Sequence, residues 1–158
     1  CEVINIDPEI MGAICLKNNG RELKDSAKFS EPLPHKSCPR KARRHGLWNG
    51  QGKTDTPERI EQSQKLRMHV DKFSHSQIIA GDFNLLPETK SLSIAKEGFR
   101  DLIDEFKISS TRSILYNRHT NPVLFADYIF ITKDLEVTQF KVLEDVVSDH
   151  LPLLLEIK

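Results

Sequence analysis

The sequence predicts a mixed α/β layered domain, on two observations. Helical and strand-like segments alternate through the middle of the chain, and consecutive strand-like segments close it. A length of 158 residues is enough for one domain with a real core, one that removes roughly two-thirds of the unfolded chain's surface from water.

Taken in order, residues 9–17 read as a strand and Asn18-Asn19-Gly20 as the turn after it. From 25 to 44 the pattern fades. Pro32, Pro34 and Pro39 stand in a charged background with almost no periodic apolar residues, which predicts loop or disorder. The stretch ends in Arg40-Lys41-Ala42-Arg43-Arg44, which suits docking on phosphates but reads more simply as a solvated basic cluster. Residues 45–52, His-Gly-Leu-Trp-Asn-Gly-Gln-Gly, hold three glycines and the only tryptophan, the composition of a shaped loop. His45, at its entry, is a candidate general acid or phosphate ligand, with an ordinary surface histidine as the alternative.

Thr56-Pro57-Glu58 marks a helix start, with Thr56 as N-cap, Pro57 at the first helical position and an acid in the first turn. Ile60, Ser63, Leu66, Val70 and Phe73 then recur at helical spacing, predicting a helix that covers a sheet. A buried strand over 78–80 follows. A second helix is expected over 87–96, closed by Gly98, and a third, short one around Leu102, Ile103 and Phe106. Residues 109–122 form a polar connection whose Arg112, Tyr116, Arg118 and His119 are expected to be exposed, although they also suit the lining of a groove. Strands are predicted over 124–131, 137–143 and 151–157.

Composition excludes some partners and favours others. With 23 basic and 23 acidic residues the formal charge is zero, so there is no global field to gather polyanions and any such binding is local. Cys1, Cys15 and Cys38 have neither zinc-finger spacing nor an even count; they read as free thiols in a reducing compartment. No apolar run approaches a membrane span, and the N-terminus lacks the pattern of a signal peptide. The expectation is a soluble, cytoplasmic protein.

Three polar clusters carry the chemistry. Gln77-Ile78-Ile79-Ala80-Gly81-Asp82-Phe83-Asn84 places a carboxylate and a carboxamide at alternate positions where a strand ends, so that in an extended chain both share one face. One can take a proton from water while the other fixes an oxygen of the substrate; a polar turn closing a hairpin fits the same octet. Asp127 stands inside an apolar strand, where an ionised carboxylate needs a partner. The candidate is His150 in Ser148-Asp149-His150-Leu151-Pro152, since a buried aspartate on an imidazole fixes its tautomer and raises its basicity.

Gly81-Asp82-Phe83-Asn84, Ala126-Asp127-Tyr128-Ile129 and Ser148-Asp149-His150-Leu151-Pro152, in that order, resemble the signature of the endonuclease/exonuclease/phosphatase family, to which DNase I and the abasic-site endonucleases belong. The resemblance covers residues 45–158 and implies a DNase I-like two-sheet sandwich flanked by helices. It implies a magnesium-dependent phosphoesterase, with manganese as a substitute ion, acting on phosphodiester or phosphomonoester substrates that include nucleic acids. Carried over by position, Asp82 orients or deprotonates water and Asn84 donates to the phosphate. Asp127 orients His150, which contacts the phosphate or protonates the leaving group, Asp149 helps hold metal, and His45 matches an additional family histidine.

Two family features do not stand out: an asparagine-bearing first strand, and a second strand ending in Gln-Glu, whose glutamate is the principal metal ligand. Residues 1–44 are therefore expected to be an atypical, partly disordered segment before the C-terminal part of such a domain, incomplete at its N-terminus. The alternative to a working enzyme is a truncated, non-catalytic remnant lacking that glutamate.

Overall fold

A computed structural model describes residues 2–5, 14–18, 21–22, 27–28, 52–116 and 124–158, with side chains described in the last two ranges. The elements run β1 (Glu2–Asn5), β2 (Ile14–Asn18), β3 (Arg21–Glu22), β4 (Ala27–Lys28), α1 (Pro57–Val70), β5 (Gln77–Asp82), α2 (Lys90–Ala95), β6 (Arg100–Asp101), α3 (Leu102–Glu105), β7 (Asp127–Ile131), β8 (Val137–Val142) and β9 (Leu153–Ile157). The described strands form two sheets, one ordered β4-β1-β5-β7-β6 and the other β3-β2-β9-β8. This is the mixed α/β architecture that the alternating segments predict.

Helix α1 begins where its capping residues require. The Thr56 side chain accepts from the Arg59 amide at 3.2 Å, and Pro57 opens the first turn, where a missing N–H costs nothing. Its buried stripe is Arg59, Ser63, Leu66 and Val70. The stripe thus includes a fully buried arginine, whereas Ile60 and Phe73 are only partly buried. Arg59 tolerates burial because its guanidinium donates to the Thr54 carbonyl and, at 2.8 Å, to the Gly52 carbonyl. It thereby ties the preceding loop to the helix.

Helix α2 starts three residues later than the 87–96 expectation. Thr89 serves as its N-cap, and the Asp55 carboxylate accepts from the Lys90 and Ser91 amides, each at 2.8 Å. A carboxylate across two free amides at a helix start is favourable both as hydrogen bonding and against the helix dipole. After the helix, Gly98 takes a left-handed φ of +80°, the conformation for which glycine is suited. Helix α3 is a single turn capped by Asp101.

Strands β5 and β7 are buried along their whole length. Successive side chains of a strand point to opposite faces, so both faces of this pair are covered. One core cluster joins Ile79 and Ile129 of the first sheet, Leu155 and Phe140 of the second, and Leu66 and Leu92 of the helices. Phe83, Tyr128 and Phe130 pack in it with ring centroids 5.1–5.9 Å apart. Here β7 begins at Asp127, three residues inside the predicted strand, while β8 and β9 lie within their predicted ranges.

The first 44 residues contribute strands to both sheets. β1 runs parallel to β5 with Asn5 opposite Ala80, and β2 runs parallel to β9 with Cys15 opposite Leu154. The predicted strand over 9–17 is represented by β2, and the two-residue β4 falls in the stretch expected as loop. The turn at Asn19-Gly20, the basic run 40–44, His45, Trp48, Arg118 and His119 lie outside the described residues.

Ile129 is fully buried at the centre of this cluster. Ile129→Ala should therefore lower the unfolding free energy by roughly 2–5 kcal/mol, read as a reduced urea midpoint at unchanged slope.

Candidate active site

The antiparallel register of β5 and β7 sets Asp82 directly opposite Asp127. Both side chains are buried, at 4% and 3% exposure. Like charges on facing strand positions repel. Burial and the neighbouring Asp127 charge push the Asp82 carboxyl above its ordinary range, partly countered by His150, Arg112 and the Asn84 amide.

His150 enters from the segment before β9 and is also buried, at 5% exposure. Its Nδ1 lies 2.9 Å from both Asp127 oxygens. A carboxylate only accepts, so Nδ1 carries the proton and donates. Asp127 thus has the partner its burial demands, as its place in the apolar strand predicts. The other ring nitrogen, Nε2, lies 3.9 Å from Asp82 Oδ2, so the imidazole bridges the two acids. Burial works against its charged form, but the hydrogen bond and charge of Asp127 outweigh it, so the net effect raises the His150 pKa.

Asn84 departs from the extended-strand expectation. Strand β5 ends at Asp82, and Asn84 takes a left-handed φ of +48°, which asparagine tolerates better than most residues. Its amide donates to Asp82 Oδ1 at 2.8 Å, and the Phe83 and Asn84 amides both donate to the Ala126 carbonyl. The chain therefore turns over Asp82 and orients its carboxylate from the backbone. Buried Tyr128 fixes the same turn by donating to the Leu85 carbonyl at 2.9 Å.

Two cations complete the cluster. Arg112, expected to be exposed, is 6% exposed. Its Nη1 donates to Asp149 Oδ2 at 2.7 Å and lies 2.5 Å from His150 Nε2. The reason is long-range stitching of the polar connection. Thr111 Oγ1 accepts from the Ala126 and Asp127 amides, the Leu151 amide donates to the Thr111 carbonyl, and the Ser113 amide donates to the Asp149 carbonyl. Residues 111–113 are thereby pinned between the two acid-bearing segments. Tyr116 lies beside them, its ring centroid 4.5 Å from the Arg112 guanidinium.

Lys53 is the second cation, and sequence reasoning missed it. Its amine donates to the Phe125 carbonyl at 2.5 Å, and its carbonyl accepts from the Leu86 amide at 2.9 Å. Burial and the Arg112 charge push it down to about 8, against the pull of Asp82, Asp127 and Asp149. The only local signal was its place at the end of the glycine-rich loop. The Arg59 guanidinium holds the carbonyls on either side of Lys53, at Gly52 and Thr54.

The structure thus brings together Asp82, Asp127, Asp149 and His150 of the predicted site, with Asn84 turning over Asp82. His45 lies outside the described residues. Among the described residues no three His, Cys, Asp or Glu side chains converge as a metal cage. Magnesium is commonly held by one or two carboxylates completed by water and substrate phosphate oxygens. Asp149, half exposed beside this oxygen-rich cluster, fits that manner of binding.

A sequence profile described as Endonuclease/Exonuclease/phosphatase family matches residues 16–150, from β2 to His150. The match begins well ahead of residue 45, where the motif resemblance begins. No curated protein matches the chain.

The Lys53 amine gives a direct check on these electrostatics. A nitrogen-15 NMR titration should find one lysine amine with a midpoint of about 8, a signal absent from Lys53→Met. Because the folded pKa lies below the unfolded value of 10.5, the folded chain holds fewer protons between the two. This linkage should therefore add stability to the wild type, relative to Lys53→Met, as pH rises through that window.

Proposed function

We propose, for a chain that belongs to the endonuclease/exonuclease/phosphatase family, that it is a metal-dependent phosphoesterase acting through Asp82, Asn84, Asp127 and His150. The single observation that carries this reading is the imidazole bridging two buried carboxylates, Nδ1 on Asp127 and Nε2 toward Asp82. Asp82 takes the proton of the attacking water. A buried carboxylate with a raised pKa is a stronger base than an exposed one, and the Asn84 amide holds it in one orientation. As water forms its bond to phosphorus, the ester P–O bond opposite breaks. His150, carrying its second proton on Nε2, protonates the departing oxygen, and Asp127 stabilises the resulting charge pattern.

The Asn84 carboxamide donates to a phosphoryl oxygen, and His45 assists. A divalent cation, magnesium by preference and manganese as substitute, would be held by Asp149 and would neutralise charge on the phosphoryl oxygens. An oxygen-rich donor set favours these ions over zinc. The substrate class is a phosphodiester or phosphomonoester, nucleic acids among the candidates.

The test is hydrolysis of bis(p-nitrophenyl) phosphate by the purified chain, with magnesium and with chelator. Magnesium-dependent turnover is expected, falling roughly 10²- to 10⁴-fold in Asp82→Ala, the usual worth of a general base. Turnover that survives Asp82→Ala would remove Asp82 from the mechanism. A folded wild type that hydrolyses nothing would favour the non-catalytic remnant.

A further inference from the structure

Arg112 is a buried arginine whose hydrogen bonding is incomplete. Its Nη1 serves Asp149 and His150, but its Nε is buried without a partner among the described residues. A buried donor left unmade costs roughly 1–3 kcal/mol. A guanidinium kept in place at such a cost suits a ligand that completes its bonding, and its planar fork matches the oxygens of a phosphoryl group.

The contact with His150 has a further consequence. A guanidinium only donates, so Nε2 at 2.5 Å from Nη1 must accept, and with Nδ1–H on Asp127 the imidazole is neutral with its outer lone pair covered. In this state His150 has no proton to give from Nε2. For the chemistry proposed above, Nη1 has to leave Nε2. An anion drawing the guanidinium to itself does that, and it loosens the Arg112 hold on Asp149 in the same movement.

We infer that Arg112 is a phosphate-binding residue of this site, its guanidinium exchanging His150 Nε2 and Asp149 for the oxygens of a phosphoryl group. The inference rests on the phosphoesterase reading for its setting, but it concerns binding and is tested without turnover. The backbone is suited to the role. The Arg112 amide donates to Ser110 Oγ at 3.0 Å, and the residue forms an isolated β-bridge with His150, so the base of the side chain is fixed while the fork exchanges partners. The Lys53 amine, over the same Tyr116 ring at 5.6 Å from its centroid, adds positive charge to the approach.

The probe is inorganic phosphate, titrated by calorimetry into wild type, Arg112→Lys and Arg112→Ala, with thermal melting run on each phosphate-free sample. Losing a charge-assisted fork should weaken phosphate binding roughly 10- to 100-fold in Arg112→Lys. Added guanidinium ion should restore part of the affinity to Arg112→Ala. In the wild type, phosphate should shift the Arg112 Nε–H resonance, a readout independent of how the variants fold. Wild type that binds no phosphate, an Nε–H resonance indifferent to it, or folded variants of undiminished affinity would each overturn the inference and leave Arg112 a structural ion-pair residue. The two readings fail separately. Arg112-dependent phosphate binding without any diester hydrolysis would count against the hydrolase reading alone, and hydrolysis with Arg112-independent affinity against this inference alone.

Discussion

The register between β5 and β7 is the constraint on which the rest of the site depends. It puts two buried carboxylates face to face at the end of the central strand pair. Two such charges are tolerable only with cations or donors between and around them. His150 lies between them, Arg112 covers its outer nitrogen, and Lys53 contributes from the loop before α1. Removing any one of these would leave charge unbalanced in a place water hardly reaches. The same arrangement pushes the Asp82 carboxyl up and the Lys53 amine down, making the one a stronger base and the other a more readily deprotonated amine.

What makes that arrangement rigid is the layering beneath it. The central strands are buried on both faces, and the aromatic cluster of Phe83, Tyr128 and Phe130 packs under the turn that follows Asp82. The loops are tied to this platform by a few long-range bonds. Arg59 holds 52–54, Asp55 caps α2, and Thr111 and Ser113 join the polar connection to both acid-bearing segments. A catalytic group must keep its geometry while its surroundings change charge, and loops fixed to a covered sheet provide this better than free ones.

Legibility in the sequence followed the range of the interactions involved. Asp82, Asp127 and His150 stood out because each interrupts or ends an apolar run, a local anomaly with one physical explanation. The start of helix α1 was legible to the residue because Thr56 and Pro57 act on their own first turn. The burial of Arg112 and Lys53 was not legible, since it comes with partners up to 72 positions away, as in the Lys53 bond to Phe125. Asn84 holds Asp82 in a way that the spacing did not reveal. Alternation assumes an extended chain, and the left-handed turn at Asn84 breaks it, so the bond to Asp82 comes from the backbone amide. The strands β1 and β2 join their sheets through parallel pairing with β5 and β9, which leaves little trace in a short local pattern.

The measurement that tests this account most directly is nitrogen-15 NMR of the histidine rings, comparing wild type with Asp127→Asn at neutral pH. The account predicts that His150 in the free protein is the Nδ1–H tautomer, with a slowly exchanging ring proton bonded to Asp127, and that Asp127→Asn weakens that bond and lowers the pKa of the ring. An Nε2–H tautomer in the wild type, or a ring indifferent to Asp127→Asn in a folded sample, would contradict the account at its centre.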